Sequence, residues 1–265
     1  GAYSHRADAS GTDEIAQIAA EFNSLTDRLQ TTEDARRRFV SDASHELKTP
    51  LAGIRLLTDS ILQTDNMDPE TTKEFVTDIG REAERLSRIT ENLLRLTRLD
   101  GGVVQAAYPV AVGPVLQRVE RMLGIVAEEK GVTISGSASE DAVALATDDD
   151  VHQILYNLME NAIKYSAAEN GFVRAEASAQ DGQVVITVTD NGIGIPDEDL
   201  PHIFDRFYRV DKMRSREVGG TGLGLSIVKD TIENRGGTIR AGHGADGVGT
   251  VFTVTLPLAQ REEEP

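Results

Sequence analysis

Apolar positions recur at helical spacing over the first hundred residues of the chain, and at the spacing of strands and short helices after that. From Asp13, the residues Ile15, Ile18, Phe22, Leu25 and Leu29 follow at intervals of 3, 4, 3 and 4. That is a heptad seam, and Thr12 and Asp13 are available to cap its start. Gly1 to Gly11 carry no periodicity and read as a flexible lead-in. The polar run TTEDARRR interrupts the seam, and a new stripe begins at Phe39 with spacings of 4 and 4 through Ala43 and Leu47. Such a slip is a stutter, and it predicts a mechanical joint at which rotation of the first helix changes the facing of His45. Read as a helix, Phe39, Val40, Ala43, Leu47, Leu51, Ile54, Leu57 and Ile61 lie within roughly 60° of one direction. His45 points the opposite way, which disfavours a packed core histidine and leaves one presented to a partner or simply solvated. Pro50 removes the hydrogen bond to the Glu46 carbonyl at a cost of about 3 kcal/mol and predicts a bend one turn beyond His45, unless the kink is merely tolerated.

The stripe ends in TDNMDPE, where Asp68 suits an N-cap and Pro69 the first helical position. A second long helix comes next, with Phe75, Ile79, Leu86, Ile89, Leu93, Leu96 and Leu99 as its apolar face, and it stops at Gly101-Gly102. Two antiparallel helices with one stripe each cannot bury both stripes alone. The pattern therefore predicts a homodimeric four-helix bundle. Beyond a boundary near Asp100 to Ala107 the elements shorten. Helices are predicted over Pro114 to Lys130, Asp149 to Ser166 and Leu223 to Asn234. Strands are predicted over Val132 to Ser135, Val143 to Ala146, Phe172 to Ala177 and Val184 to Thr189, with a closing hairpin of Thr238 to Ala241 and Thr250 to Leu256. Between Pro196 and Gly222 lies a charged segment without clean periodicity, which reads as a lid.

Composition narrows the function classes. The 265 residues suffice for two domains. An excess of 44 Asp and Glu over 27 Lys and Arg gives a net charge of -17, which argues against nucleic acid or an anionic membrane as partner. There is no Cys, hence no disulfide, thiolate site or cysteine nucleophile. No run of about 18 apolar residues and no signal-peptide pattern occur, so the polypeptide is expected to be soluble as given, although it could be the inner part of something larger.

Two glycine-rich stretches, DNGIGI at Asp190 to Ile195 and GGTGLGL at Gly219 to Leu225, point to a nucleotide. The dinucleotide fingerprint fails because GGTGLGL comes after the lid and not after a strand, and no GK[ST] completes a phosphate loop. A pocket built from separated pieces remains. Asp190 ends the strand VVITVT with a carboxylate suited to the exocyclic amine of adenine, and Gly192 and Gly194 let the backbone approach a flat base. Gly220, Gly222 and Gly224 open a helix whose free N–H groups suit phosphate. Asn157, Asn161 and Lys164 share one side of a helix, offering amide oxygens to a hard cation and an ammonium to phosphate. Any one of them alone reads equally as a cap or a solvated polar group.

FVSDASHELKTPL, NLMENAIKYS, DNGIGI, FDRFYR and GGTGLGLSIV, in this order, resemble the H, N, G1, F and G2 boxes of bacterial two-component sensor histidine kinases. Asp13 to Gln30 is similar, less specifically, to the second helix of a HAMP signalling module. The resemblance implies a helical hairpin for dimerisation and phosphotransfer over 32–102, after a signalling helix within 1–31. An α/β sandwich ATP-binding domain of the histidine kinase and chaperone ATPase type would occupy 103–260, with an acidic tail at 261–265. It implies that His45 is the phosphoacceptor, Glu46 the base that orients its imidazole, and Thr49 a residue that positions water when phosphate is removed from the partner. Asn161 would ligate Mg²⁺ with Asn157 nearby, Lys164 would meet phosphate and Tyr165 would line the adenine site. Asp190 would read adenine with Gly192 and Gly194 beside it, Arg209 would reach the γ-phosphate, and Gly220, Thr221, Gly222, Leu223 and Gly224 would enclose the nucleotide. The implied cofactors are ATP and Mg²⁺. The implied partner is the aspartate of a response regulator, and the implied setting is the cytoplasmic portion of a membrane-tethered homodimer. A conformational ATPase of the same fold and a silent dimeric scaffold are the alternatives. Where the family often has an Asp-Arg pair, the chain has Asp149-Asp150, expected to lie away from the pocket. His5, His152, His202 and His243 share no ligand spacing and are expected to be solvated.

Overall fold

The structure is a computed structural model that describes residues 5–10, 13–64, 67–101, 105–167, 169–210 and 220–259. It divides into two compact units, Gly1–Ser87 and Arg88–Pro265.

The first unit is helical. α1 (Glu14–Gln63) is a single helix of 50 residues, capped by the Asp13 carboxylate, which accepts from the Ala16 N–H at 2.9 Å. Thr12 lies outside the described residues. The polar stretch that interrupts the seam leaves the helix continuous. Residues 31–38 continue α1 as solvated helix in which Glu33 pairs with Arg37 at 3.3 Å and with Arg36 at 4.0 Å, the i,i+4 and i,i+3 neighbours that a helix brings together. The described part of the lead-in departs from expectation. Ala7 exchanges two hydrogen bonds with the Asn23 side chain, at 2.8 and 2.9 Å, and Arg6 reaches Asp27.

α2 (Pro69–Asp100) starts as expected, with Asp68 accepting from the N–H groups of Glu70 and Thr71. Its first half runs antiparallel to α1, since Glu46 faces Arg85 and Gly53 faces Glu82. The apolar stripes are covered on one side only. Ala43 and Pro50 are buried, whereas Val40 and Leu51 on the flank of the stripe stay 56% and 59% exposed, and the upstream seam from Ile15 to Leu29 is exposed throughout. Residues 65–66 of the turn and Gly102 lie outside the described residues.

The second unit is a layered α/β domain. A five-stranded sheet has the order β2 (Val132–Ala138), β4 (Gly171–Gln180), β5 (Gln183–Asp190), β7 (Thr250–Pro257) and β6 (Thr238–His243), with β2 parallel to β4 and every other pair antiparallel. A second, two-stranded sheet pairs β1 (Tyr108–Ala111) with β3 (Val143–Ala146). β1 was not expected: its run of four residues, YPVA, is too short to show alternation and becomes a strand by pairing with β3. α3 (Val112–Glu129), α4 (Asp148–Tyr165) and α5 (Gly224–Asn234) cover the sheet. Strictly alternating burial along β5 and β7 places Val184, Ile186 and Val188 beside Phe252, Val254 and Leu256 in one core with Ile154, Leu155, Leu158 and Met159 of α4.

The start of α4 is fixed by a reciprocal cap. Thr147 Oγ1 accepts from the Asp150 N–H at 3.2 Å, and Asp150 Oδ2 accepts from Thr147 N at 3.1 Å and from Thr147 Oγ1 at 2.6 Å. The same Oδ2 takes Arg235 at 2.7 and 2.8 Å, while Arg95 of α2 lies 3.9 Å from Oδ1. Asp150 is therefore a buried hub. It lies away from the pocket, as expected, but it organises three elements.

Candidate functional site

The second unit holds a cavity of about 700 Å³, within the range of small-molecule sites. Three structural pieces converge on it. β5 delivers Asp190, which is 4% exposed; its Oδ1 accepts from Gly192 N at 2.8 Å and Thr250 N at 3.2 Å. Burial raises the carboxyl above its ordinary value, and the two N–H groups oppose the rise. The carboxylate is thus held rigidly with its other oxygen available as an acceptor.

α4 supplies Asn157, Asn161, Lys164 and Tyr165 to the cavity wall. Asn157 Nδ2 is buried without a hydrogen-bond partner, an open valence of the kind a bound polar ligand fills, and Lys164 meets Glu160 at 3.3 Å. The third piece is the N-terminus of α5 with Gly220, Thr221, Gly222 and Gly224 on the wall. Gly222 has φ +71°, and an added Cβ would lie 2.8 Å from the Phe207 backbone, whose N–H donates to the Gly222 carbonyl at 2.8 Å. A side chain there would part the two strands of chain that form the cavity rim.

Two expected residues are absent from the wall. Leu223 is fully buried as the residue preceding α5. Gly192 is needed by the protein's own packing, since a Cβ would lie 2.0 Å from the Tyr165 carbonyl oxygen, next to the Ile193 N–H bond to that oxygen at 3.1 Å. Gly194 (φ +71°) does line the cavity.

The lid segment is anchored over its first half. Ile203 is buried, Phe204 packs edge-on to Phe252, Arg206 bonds Asp230 at 3.0 Å and Tyr208 donates to Asp199 at 2.5 Å. Arg209 lies on the cavity wall, and residues 211–219 lie outside the described residues. The histidines are more engaged than expected. His152 lines the cavity and stacks on Tyr156 at 6.0 Å, and burial followed by the Arg118 guanidinium lowers its imidazole, against the pull of Asp148 and Asp149. His202 meets Asp205 at 3.1 Å and His243 meets Asp197 at 2.8 Å, while His5 is exposed. His152 and Tyr156 stand about 140° and 100° around α4 from Asn157, so the face that carries the asparagines gave no signal of them. Arg88, Glu91 and Asn92 of α2 also line the cavity, and nothing in their own spacing marks them.

In the first unit, His45 is exposed on α1, opposite Ala43 and Pro50. Thr49, also exposed, donates its hydroxyl to the His45 carbonyl at 3.2 Å. Glu46 is half-buried, with its carboxylate 3.6 Å from Arg85. Among the described residues no group of three His, Cys, Asp or Glu could hold a metal ion, so amide oxygens and a ligand's own oxygens are what a cation would find.

Two family models match. Residues 35–102 match the His Kinase A (phospho-acceptor) domain, and residues 146–260 match the Histidine kinase-, DNA gyrase B-, and HSP90-like ATPase. The chain belongs to the sensor histidine kinases. The signal transduction histidine-protein kinase AfsQ2 of Streptomyces coelicolor is 36% identical over 276 residues, covering 94% of this chain and 48% of that protein. The crystal structure of full-length ShkA in complex with AMPPNP is 30% identical with a TM-score of 0.62, covering 84% of this chain and 46% of that one. Histidine kinase ThkA, solved in complex with response regulator protein TrrA, superposes with a TM-score of 0.68 over 88% of this chain and 66% of that one; at 22% identity it shows the fold alone. The chain spans about half the length of the curated relatives it matches. Its architecture is a helical hairpin followed by an ATPase domain, and a conformational ATPase without the phosphoacceptor domain does not account for the first match.

Proposed function

We propose that the chain is the kinase core of a two-component sensor that autophosphorylates His45 from ATP, passes the phosphoryl group to an aspartate of a response regulator and also dephosphorylates that regulator. The observation that carries this reading is the pairing, in one chain, of an outward-facing His45 next to Glu46 with a separate cavity carrying Asp190, Asn157, Asn161 and Lys164. A neutral imidazole is a competent nucleophile near neutral pH. Its nitrogen attacks the γ-phosphorus in line, the bond to the bridging oxygen of ADP breaks, and Glu46 takes the proton that the ring sheds. Little covalent help is required beyond position and charge, which Lys164 and Arg209 would supply at the phosphates. Asp190 would accept from the adenine amine beside Tyr165 and Gly194, while the backbone of Gly220 to Gly224 would enclose the phosphates.

The donor set suits Mg²⁺, which takes one or two protein oxygens and otherwise phosphate and water. Asn161 would ligate it with Asn157 adjacent, and the ion would neutralise phosphate charge. Thr49 would orient water for dephosphorylation. We further read residues 1–31 as a lead-in and part of a HAMP signalling helix, 32–102 as the phosphoacceptor hairpin, 103–260 as the ATP-binding domain and 261–265 as an acidic tail. The exposed apolar faces of α1 support a homodimeric four-helix bundle. No described helix is long and apolar enough to cross a membrane, so tethering of the parent protein at the cytoplasmic side rests on the signalling helix alone.

Incubation with γ-labelled ATP and Mg²⁺ tests the central assignment. Acid-labile, base-stable label is expected on the wild type and none on His45→Ala; equal labelling of the two refutes it.

A further inference from the structure

The apolar stripe of α2 is broken by one buried charge. Arg85 is 8% exposed, more buried than Ile79 and Leu86 of the same stripe, though less than Ile89. Its Nη2 lies 3.6 Å from Glu46 Oε2 on α1, and its Nη1 lies 3.9 Å from Glu82 Oε2 one turn earlier on its own helix. Both distances exceed the roughly 2.7–2.9 Å of a charge-assisted hydrogen bond. Arg85 Nε and Glu82 Oε2 have no hydrogen-bond partner. A cation buried this way adds little to stability, since a well-packed apolar side chain of similar volume serves a helical hairpin equally well or better. Its position, facing the residue next to His45, calls for a reason other than stability.

We propose that Arg85 is a positioning residue for Glu46, and through it for the chemistry at His45. The proposal rests on His45 being the phosphoacceptor. Glu46 is half-buried between the helices, and a glutamate has several rotamers, of which the one that turns its carboxylate toward the ring of the preceding residue must be selected. A guanidinium anchored in the facing helix selects among them without touching the imidazole, the nucleotide or the phosphate. The loose geometry has a use as well. When the ring proton passes to Glu46, that carboxylate becomes neutral and its attraction for Arg85 falls. Glu82, within reach of the same guanidinium and holding an open acceptor, then keeps the buried cation paired. Arg85 thereby offsets the charge change at Glu46 inside the hairpin.

This separates Arg85 from a residue that only holds the hairpin together. The test measures initial rates of His45 labelling by ATP in the full chain, with Arg85→Met and Arg85→Lys made both in the wild type and in a Glu46→Gln background. Arg85→Met is expected to lower kcat about tenfold with the KM for ATP unchanged, and Arg85→Lys to recover part of the loss. In the Glu46→Gln background either substitution is expected to change kcat by less than about twofold, because the group through which Arg85 acts is already gone. The proposal is overturned by an unchanged kcat in Arg85→Met, by a rise in KM that accounts for the loss, or by equal losses in both backgrounds. Should Arg85→Met not fold, Arg85→Lys alone decides by the same comparison. A wild type that carries no label on His45 overturns the phosphoacceptor reading and this proposal together, whereas normal wild-type labelling with insensitive Arg85 variants overturns this proposal only.

Discussion

Replacing Arg235 by leucine tests whether the charged hub beneath α4 holds the ATPase domain together. The side chains of Asp150 and Arg235 are both buried, and two guanidinium nitrogens meet one carboxylate oxygen at 2.7 and 2.8 Å. Arg235 also donates to the Gln105 carbonyl at 2.7 Å, tying the segment before β1 to the end of α5. Removing one partner of a buried, hydrogen-bonded pair costs about 3–5 kcal/mol, most of it from the charge left behind. Here part of the compensation survives, because the Thr147 donors stay on Asp150 and Arg95 remains 3.9 Å away. We expect a loss of about 2–4 kcal/mol, which for a chain of this size lowers the melting temperature by about 5–15 °C. The partner variant sharpens the test. In Asp150→Leu/Arg235→Leu neither member of the pair is left without the other, Arg95 keeps its bond to Gln153, and Thr147 can still cap the backbone at position 150, so the double substitution is expected to be at least about 1 kcal/mol less damaging than the sum of the two singles. Calorimetry of the full chain without nucleotide provides the readout. A shift of less than about 1 °C for Arg235→Leu, or strict additivity in the double variant, would refute the argument.

Two further substitutions probe the cavity. Asp190→Asn keeps an oxygen for the Gly192 and Thr250 N–H groups and removes a buried charge, so the nucleotide-free chain is expected to melt no earlier than the wild type while its Kd for ATP rises about 10- to 100-fold; equal affinity measured by calorimetric titration counts against Asp190 as the adenine acceptor. Burial raises the Asp190 carboxyl, so its contribution to stability is present below the unfolded-state value and is lost as pH rises through the folded one. ATP binding, which needs the ionised form, is expected to weaken on acidification from a pH above the ordinary aspartate range, and a flat affinity profile there would contradict this. Gly192→Ala is expected to cost more than about 2 kcal/mol because its Cβ would lie 2.0 Å from the Tyr165 carbonyl oxygen, whereas Gly124→Ala in α3, with nothing within 4 Å, should stabilise by about 0.5–1 kcal/mol; unfolding curves that give both the same sign would discount the geometry.

Features that depend on local period and residue chemistry are legible in the amino-acid order. The spacing of Phe39, Ala43 and Leu47 is enough to turn His45 away from the stripe, because a helix fixes the angle between neighbours whatever packs against it. Asn157, Asn161 and Lys164 share a cavity for the same reason, and the alternating positions of β5 and β7 declared their buried face in advance. The polar run before Phe39 marks a slip of the seam and not an end of the helix, because charged residues at i,i+3 and i,i+4 suit a solvated helix. Long-range geometry carried the rest. That Asp150 would collect Thr147, Arg235 and Arg95 could not be read from an Asp-Asp pair, because its partners come from positions distant in the chain. Gly192 showed a glycine's freedom in the sequence, yet only the approach of the Tyr165 carbonyl reveals that this freedom serves the protein's own backbone. Nothing in the sequence singles out Arg85, and only the antiparallel return of α2 against α1 buries it beside Glu46, since charge and period specify a face but not what that face will meet.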